Sequence, residues 1–412
     1  MASASSSSTP LPSIAIFESD TFQPKGASIV ISSPGWKALK AICRQTYDEA
    51  KADAACVSAL YFEDFSGKSL LPRPVKAAMK YTVRPILRLL RTGIVRSNSW
   101  AAFRNCLRRG VERAGLELDY SIDDLIRTNT SVASIDPTYS DAGTLLTFDD
   151  GSQVVASTVL ACDGTFSTVR KCLDRTDKPV LFDERKTVWR GTAPNINTCG
   201  ESTFYIAQEE AKAIGATANI FPAGRTTDGS SLSIIMPTTL PGRATGSEDA
   251  RRRLKEALAA LEIPIDDVLL GAIDDVEYML EHKLHGRDFD LFPNLYSGFE
   301  RIAYVGDSAH PLRPTGEGVA MALEDAWTIG NLAASFPSGE SILTPELLRK
   351  YEESRQDRVV AVSKAVRDLA ESYYENEEEG ANGGEKEKKK VQTRKPSVNQ
   401  AMKDYPIPLT TL

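Results

Sequence analysis

Two stretches of the sequence share one layout, and that layout limits the folds open to the chain more than any other feature. In IAYVGDSAHPLRPTGEGVAMALEDAWTIG (302–330) an apolar run ends in Gly306-Asp307, turns through Pro311, Pro314, Gly316 and Gly318, and gives way to a helical pattern. In STVLACDGTFSTVRKCL (157–173) an apolar run ends in Asp163-Gly164, and Ser167 and Thr168 then open a helical stretch carrying Arg170. Open α/β sheets place ligands at the carboxyl ends of their strands, where a carboxylate such as Asp307 can accept hydrogen bonds from a polyol. Gly316 and Gly318 would let a ligand ring approach the backbone, and the helix start offers unpaired N–H groups suited to an anionic ring edge. The second Asp-Gly turn would put backbone N–H groups, with Arg170, near a pyrophosphate. Taken singly, each segment also reads as a plain turn, with its aspartate as a cap.

The surrounding texture supports an α/β domain split by an insertion. The strand-rich block from about Leu181 to Leu284 contains KTVWRGTA, TANIFPA and SSLSIIMPT, interrupted by one helix, GSEDARRRLKEALAALE, with a capping-like Ser247. A long helix follows from LTPELLRKYEESRQDRV, with Thr344 at the N-cap and Pro345 in the first turn. Beyond Glu375 the chain becomes ENEEEGANGGEKEKKK, too polar to bury a core, and is predicted to be disordered.

Several function classes are disfavoured. A net charge of −7 argues against a general nucleic-acid binder, which needs a basic face. The six cysteines are scattered without C-x-x-C or a histidine at ligand spacing, so no metal site is expected. No apolar run reaches the roughly 18 residues that span a bilayer. MASASSSSTPLPS lacks the basic and apolar regions of a secretory signal, which makes cytoplasmic the default expectation. No lysine with serine or threonine follows the glycines, so a P-loop is excluded.

Together GDSAHPLRPTGEG and ACDGTFSTVR resemble the GD and DG motifs of the class A FAD-dependent monooxygenases, the aromatic-hydroxylase type, although Ala161 replaces a usual glycine. WRG at Trp189–Gly191 is similar to the first strand of that family's substrate domain, and IAIFESD to its second Rossmann strand. The resemblance implies a Rossmann-like FAD-binding domain over 13–60, 96–175 and 285–335. It implies an inserted, mainly antiparallel substrate domain over 61–95 and 176–284 with a linking helix, a C-terminal helix over 344–375, and a tail over 376–412. The FAD contacts it implies are Glu18 on the adenosine ribose, Lys25, Arg104, Asp163, Gly164 and Arg170, and then Asp307, Pro314, Gly316, Glu317 and Gly318 around the ribityl chain and ring. NADH or NADPH and O2 would be co-substrates. The oxidant would be a C4a-hydroperoxyflavin acting on a small aromatic or other electron-rich compound. Trp189, Phe221 and Met236 are candidates to line the substrate space, or to be core.

One element of the pattern is missing. The glycine fingerprint of a dinucleotide fold belongs roughly 20 residues before the ribose-binding acid, whereas the seventeen residues before Glu18 contain no glycine. Trp100 stands where the family often has arginine, with Arg104 one turn later. The expectation is therefore a sheet lacking its first β-α unit, which leaves three readings open. These are a monooxygenase, a cofactor-free relative acting as a binding protein, and a flavin reductase or cyclase of the same broad fold.

Overall fold

The computed structural model describes residues 14–21, 26–57, 59–70, 96–140, 143–173, 181–207, 215–225, 229–238, 240–287, 299–312, 316–335 and 343–374. Lys25, Pro314, the linking segment at 71–95 and the tail at 376–412 lie outside them.

The chain begins with β1 (Ile16–Phe17) and β2 (Ser28–Ile31), followed by α1 (Ser33–Ile42) and α2 (Arg44–Asp53). Next come β3 (Ala55–Cys56), β4 (Ala59–Glu63), β5 (Arg96–Ser99), α3 (Trp100–Glu117), α4 (Ile122–Leu125) and β6 (Ile126–Arg127). An antiparallel meander of β7 (Val132–Ser140), β8 (Gly143–Phe148) and β9 (Gln153–Ala156) leads to β10 (Val159–Ala161) and α5 (Thr168–Leu173). The inserted unit holds β11 (Leu181–Ala193), β12 (Glu201–Ile206), β13 (Thr217–Pro222), β14 (Ser230–Pro237), α6 (Ser247–Ala259), α7 (Asp267–Asp275) and β15 (Leu280–Arg287). The chain then returns through β16 (Ile302–Tyr304) to α8 (Gly318–Ser335) and α9 (Pro345–Tyr374).

Parallel pairing joins β10 to β16, with Val159 opposite Ile302 and Ala161 opposite Tyr304. The Gly306-Asp307 and Asp163-Gly164 turns that follow these strands are thereby placed side by side, their aspartates 144 residues apart in sequence. A second parallel pair, β1 with β6, packs Phe17 on Phe148 with ring centroids 4.6 Å apart. Among the described residues no strand bonds one pair to the other.

Six strands of the insertion, in the order β15-β11-β14-β13-β12-β4, form the largest sheet. All its pairs are antiparallel except β12 with β4, which arrives from the other side of the linking segment. One face is covered by α6 and α7 and buries Trp189, Tyr205, Ile220, Leu232, Ile234 and Met236. Two helices interrupt the strand-rich block rather than the expected one, because α7 is only nine residues long and carries Gly271 in its middle. Ser247 does not cap α6. The helix begins at Ser247, whose Oγ accepts from the Met279 N–H at 2.7 Å, and Asp249 accepts the Thr245 N–H at 3.0 Å. At α9, Thr344 Oγ1 accepts the Leu347 N–H at 3.2 Å, with Pro345 first in the helix.

Helices α1 and α8 cross at a point only glycine permits. A Cβ on Gly35 would lie 2.7 Å from Ala320 Cα and 2.8 Å from Ala320 Cβ, closer than real contacts allow, and 3.0 Å from Ile31 Cγ2; the Ala320 Cα belongs to buried backbone that cannot turn aside. Gly35→Val is expected to force the helices apart and cost about 1–3 kcal/mol by overpacking, read as a lower urea midpoint with an unchanged slope.

Candidate functional site

The two Asp-Gly turns are tied together by hydrogen bonds rather than by proximity alone. Val305 N–H donates to Ala161 O at 3.0 Å, and Ser308 Oγ donates to the same carbonyl at 2.5 Å. Arg170 Nε donates to Ser308 O at 2.7 Å, and its guanidinium lies 3.7 Å from the Tyr304 ring centroid, within cation–π range. Arg170 is thus buried between the turns as a tie. Asp163 accepts the Val169 N–H at 3.0 Å and so closes the start of α5.

Asp307 stands at the end of β16 and reaches solvent. It is nevertheless walled in closely enough that lost hydration raises its carboxyl above the usual aspartate range, with His310 and Arg190 pulling the other way. Thr165 of the DG turn adds a hydrogen bond to it. A group both accessible and closely surrounded sits on the floor of a cleft.

Gly316 has φ +95° and precedes α8, and a Cβ on Gly318 would lie 3.6 Å from Asp307 Oδ1. The bare backbone at Gly318 therefore borders the aspartate, leaving a space that a side chain would fill. Glu317 points elsewhere: it is buried, accepts from Ser32 Oγ at 2.8 Å, and burial raises its carboxyl pKa.

Beneath the turn lies a buried ionic network that the sequence reading did not find. Asp325 Oδ2 accepts the Gly306 N–H at 2.8 Å and contacts His310 Nε2 at 2.7 Å, while its Oδ1 accepts from Arg355 Nε at 2.7 Å. Glu324 accepts from Arg355 Nη1 at 3.0 Å and from Arg358 Nη2 at 2.9 Å. These carboxylates and Arg355 are fully buried. Burial pushes the Asp325 carboxyl up, and His310, then Arg355, outweigh it and hold the group below the usual carboxylate range. His310 belongs to this support. Helix α9 therefore clamps the GD turn through α8.

The wall opposite Asp307 is Arg190 of β11, inside the WRG run, whose side chain the sequence reading did not single out. Its Nη2 lies 2.8 Å from His282 Nε2. Arginine can only donate, so His282 is the acceptor and neutral. Burial, with Arg190 beside it, pushes the His282 pKa down to about 3. Arg190 Nε is buried with no partner among the described residues. Arg287, at the end of β15, donates to Ala309 O at 2.6 Å and fixes the inserted sheet against the GD turn. Alternation along β11 sends Trp189 to the helix-covered core, where its Nε1 donates to Glu281 at 3.0 Å, and sends Arg190 to the cleft face. Of the candidate lining residues, Trp189 and Met236 lie in that core, and Phe221 lies on the cleft face.

Glu18, Gly164 and Arg104 complete the expected contacts that fall on described residues. Glu18 follows β1, half-buried, and accepts the Asp20 N–H at 3.0 Å. Gly164 has φ +78° with open space where a Cβ would stand. Arg104 is half-buried on α3, one turn after Trp100, which packs over Gly26. Among the described residues no group of histidine, cysteine or acidic side chains could hold a metal, and no helix is long and apolar enough to cross a membrane.

No family model matches the chain. An FAD-dependent monooxygenase of Aspergillus terreus is 23% identical over 243 residues, 56% of this chain and 54% of that protein, so the chain spans about half the length of the curated relative it matches. The crystal structure of Klebsiella pneumoniae HpxO complexed with FAD and uric acid superposes with a TM-score of 0.64 at 19% identity, covering 88% of this chain and 82% of that one. The tetrameric form of 2-methyl-3-hydroxypyridine-5-carboxylic acid oxygenase does so with a TM-score of 0.61 at 16% identity, covering 95% and 89%. The chain has the mixed α/β fold of the FAD-dependent monooxygenases, and it is to these proteins that it is similar in sequence.

Proposed function

We propose that the protein is an FAD-dependent monooxygenase that uses NADH or NADPH and O2 to insert one oxygen into an aromatic or other electron-rich substrate. The observation that supports this most directly is the cleft in which Asp307, the Gly316–Gly318 backbone and Arg190 converge from three separate elements. The residues present fit the ribityl and ring portion of FAD: a carboxylate at a strand end, a space beside Gly318, and the N-terminus of an 18-residue helix. Bound flavin would supply the hard redox chemistry, and the protein supplies position, electrostatics and exclusion of water.

Asp307 would accept hydrogen bonds from the ribityl hydroxyls, and the free N–H groups at the start of α8 would stabilise negative charge on the ring edge. Arg190, held in place by neutral His282, keeps its Nε edge free to receive an anionic or enolic oxygen of the substrate. Tethering that oxygen would orient the electron-rich carbon toward the ring. A cofactor-free relative acting as a binding protein is the alternative reading.

Flavin affinity decides between the two. Asp307→Ala should lower it at least about tenfold, the loss of one or two charge-assisted hydrogen bonds, with circular dichroism unchanged. Wild-type protein that takes up no FAD would leave the binding-protein reading. NAD(P)H oxidation with incorporation of label from isotopic O2 into product tests the reaction itself, and NAD(P)H oxidation without incorporation would indicate a reductase.

A further inference from the structure

The cleft face of the inserted sheet carries more than Arg190. In the observed register Arg190 stands opposite both Leu280 and Ser233, Ser233 opposite Asn219, Asn219 opposite Phe204, and Phe204 opposite Phe62. One straight row therefore crosses all six strands. Each of these side chains is half-buried, whereas their neighbours along the strands on the other face, Trp189, Leu232, Ile234, Ile220 and Tyr205, are core.

The next row on the cleft face, toward β2 and β5, is closed. Ser231, Phe221 and Ser202 are buried there, Ser231 Oγ accepts the Ser28 N–H at 3.0 Å, and Ser97 Oγ donates to Pro222 O at 2.5 Å. The row through Arg190 is thus the first on this face in which every side chain is only half-buried.

Its chemistry changes along its length. The cationic end is Arg190, and the middle is polar, with Ser233 beside Asn219, whose carbonyl accepts from Ser202 Oγ at 3.0 Å. At the far end Phe62 and Phe204 face each other with ring centroids 6.0 Å apart and planes tilted by 32°. Strands lie about 4.8 Å apart, so Phe204 is roughly 14 Å and Phe62 roughly 19 Å from Arg190.

We propose that this row is an extended substrate track ending in a distal aromatic subsite formed by Phe204 and Phe62. It selects elongated aromatic acids or phenols about three ring-lengths long over the small aromatic compound that the sequence resemblance suggested. A para-phenylene unit is about as long as one strand spacing, so each added ring advances the ligand by one strand. The proposal rests on the reading of Arg190 as the anchor for an anionic or enolic oxygen.

Benzoate, biphenyl-4-carboxylate and p-terphenyl-4-carboxylate form a matched series of probes for equilibrium binding to the full chain. Affinity should rise by about tenfold or more from the first to the last. Phe204→Ala should erase most of that gain while benzoate binding stays within about twofold, and Phe204→Leu, which keeps apolar volume, should retain part of it. Equal affinities across the series, or a Phe204→Ala effect as large on benzoate as on the terphenyl, would overturn the track. Arg190→Met should weaken all three probes. If the length dependence persists while Arg190→Met changes nothing, the anchor reading fails and the track stands.

Discussion

Replacing Arg355 by methionine should destabilise the protein by about 3–5 kcal/mol, the cost of removing one partner from a buried ion pair. Arg355 is fully buried and donates to Asp325 and Glu324 at once, through Nε at 2.7 Å and Nη1 at 3.0 Å. Methionine fills the volume without supplying charge. Glu324 keeps Arg358, but Asp325 is left with only His310 and the Gly306 N–H. The loss is read as a lower urea midpoint by circular dichroism. Adding Asp325→Asn to Arg355→Met removes the stranded charge and should recover about 1 kcal/mol or more. If the double variant is no more stable than the single one, Asp325 is not the residue that Arg355 serves. The same network holds the Gly306 N–H, so a folded Arg355→Met protein should also bind flavin more weakly than wild type, with Asp307 still in place.

Acidification should expose the second large effect. His282 is neutral in the folded protein, with a pKa near 3 against the ordinary histidine value of 6.5. Below pH 6.5 the unfolded chain takes up a proton at this position and the folded chain does not, so stability falls as pH falls from 6.5 toward 3. Between pH 6.5 and 4.5 the expected loss, reduced by partial solvent contact at His282, is about 2 kcal/mol. Asp307, whose carboxyl is raised, works in the opposite sense and relieves some of the strain on protonation. His282→Asn isolates the histidine term: its side-chain carbonyl can still accept from Arg190, but it does not titrate. The difference between the stability-versus-pH curves of wild type and His282→Asn should open below pH 6.5, and parallel curves would show that His282 is hydrated and ordinary.

The sequence by itself determined the local modules. Each apolar run that stops at Asp-Gly and restarts as a helix is set within about 25 residues by turn chemistry and periodicity, and β10, α5, β16 and α8 appear where those signals put them. Thr344 and Pro345 likewise fixed the start of α9. Other features were decided only by the tertiary structure. Arg170 reads alike in sequence whatever it meets, and it stacks on Tyr304, whose strand pairs with β10 across 143 residues of sequence. Arg355, in a stretch that reads as an ordinary charged helix face, is buried because α8 presents Glu324 and Asp325 to it. Side-chain alternation along β11 is local and legible, but which parity meets the cleft depends on α6 and α7 covering the other face. The row from Arg190 to Phe62 needs four pairings in register, one of them with β4, more than 100 residues away in sequence. A strand's own residues fix the two-residue period of its side chains, whereas its register against a distant strand is set by the packing that buries one face of the whole sheet.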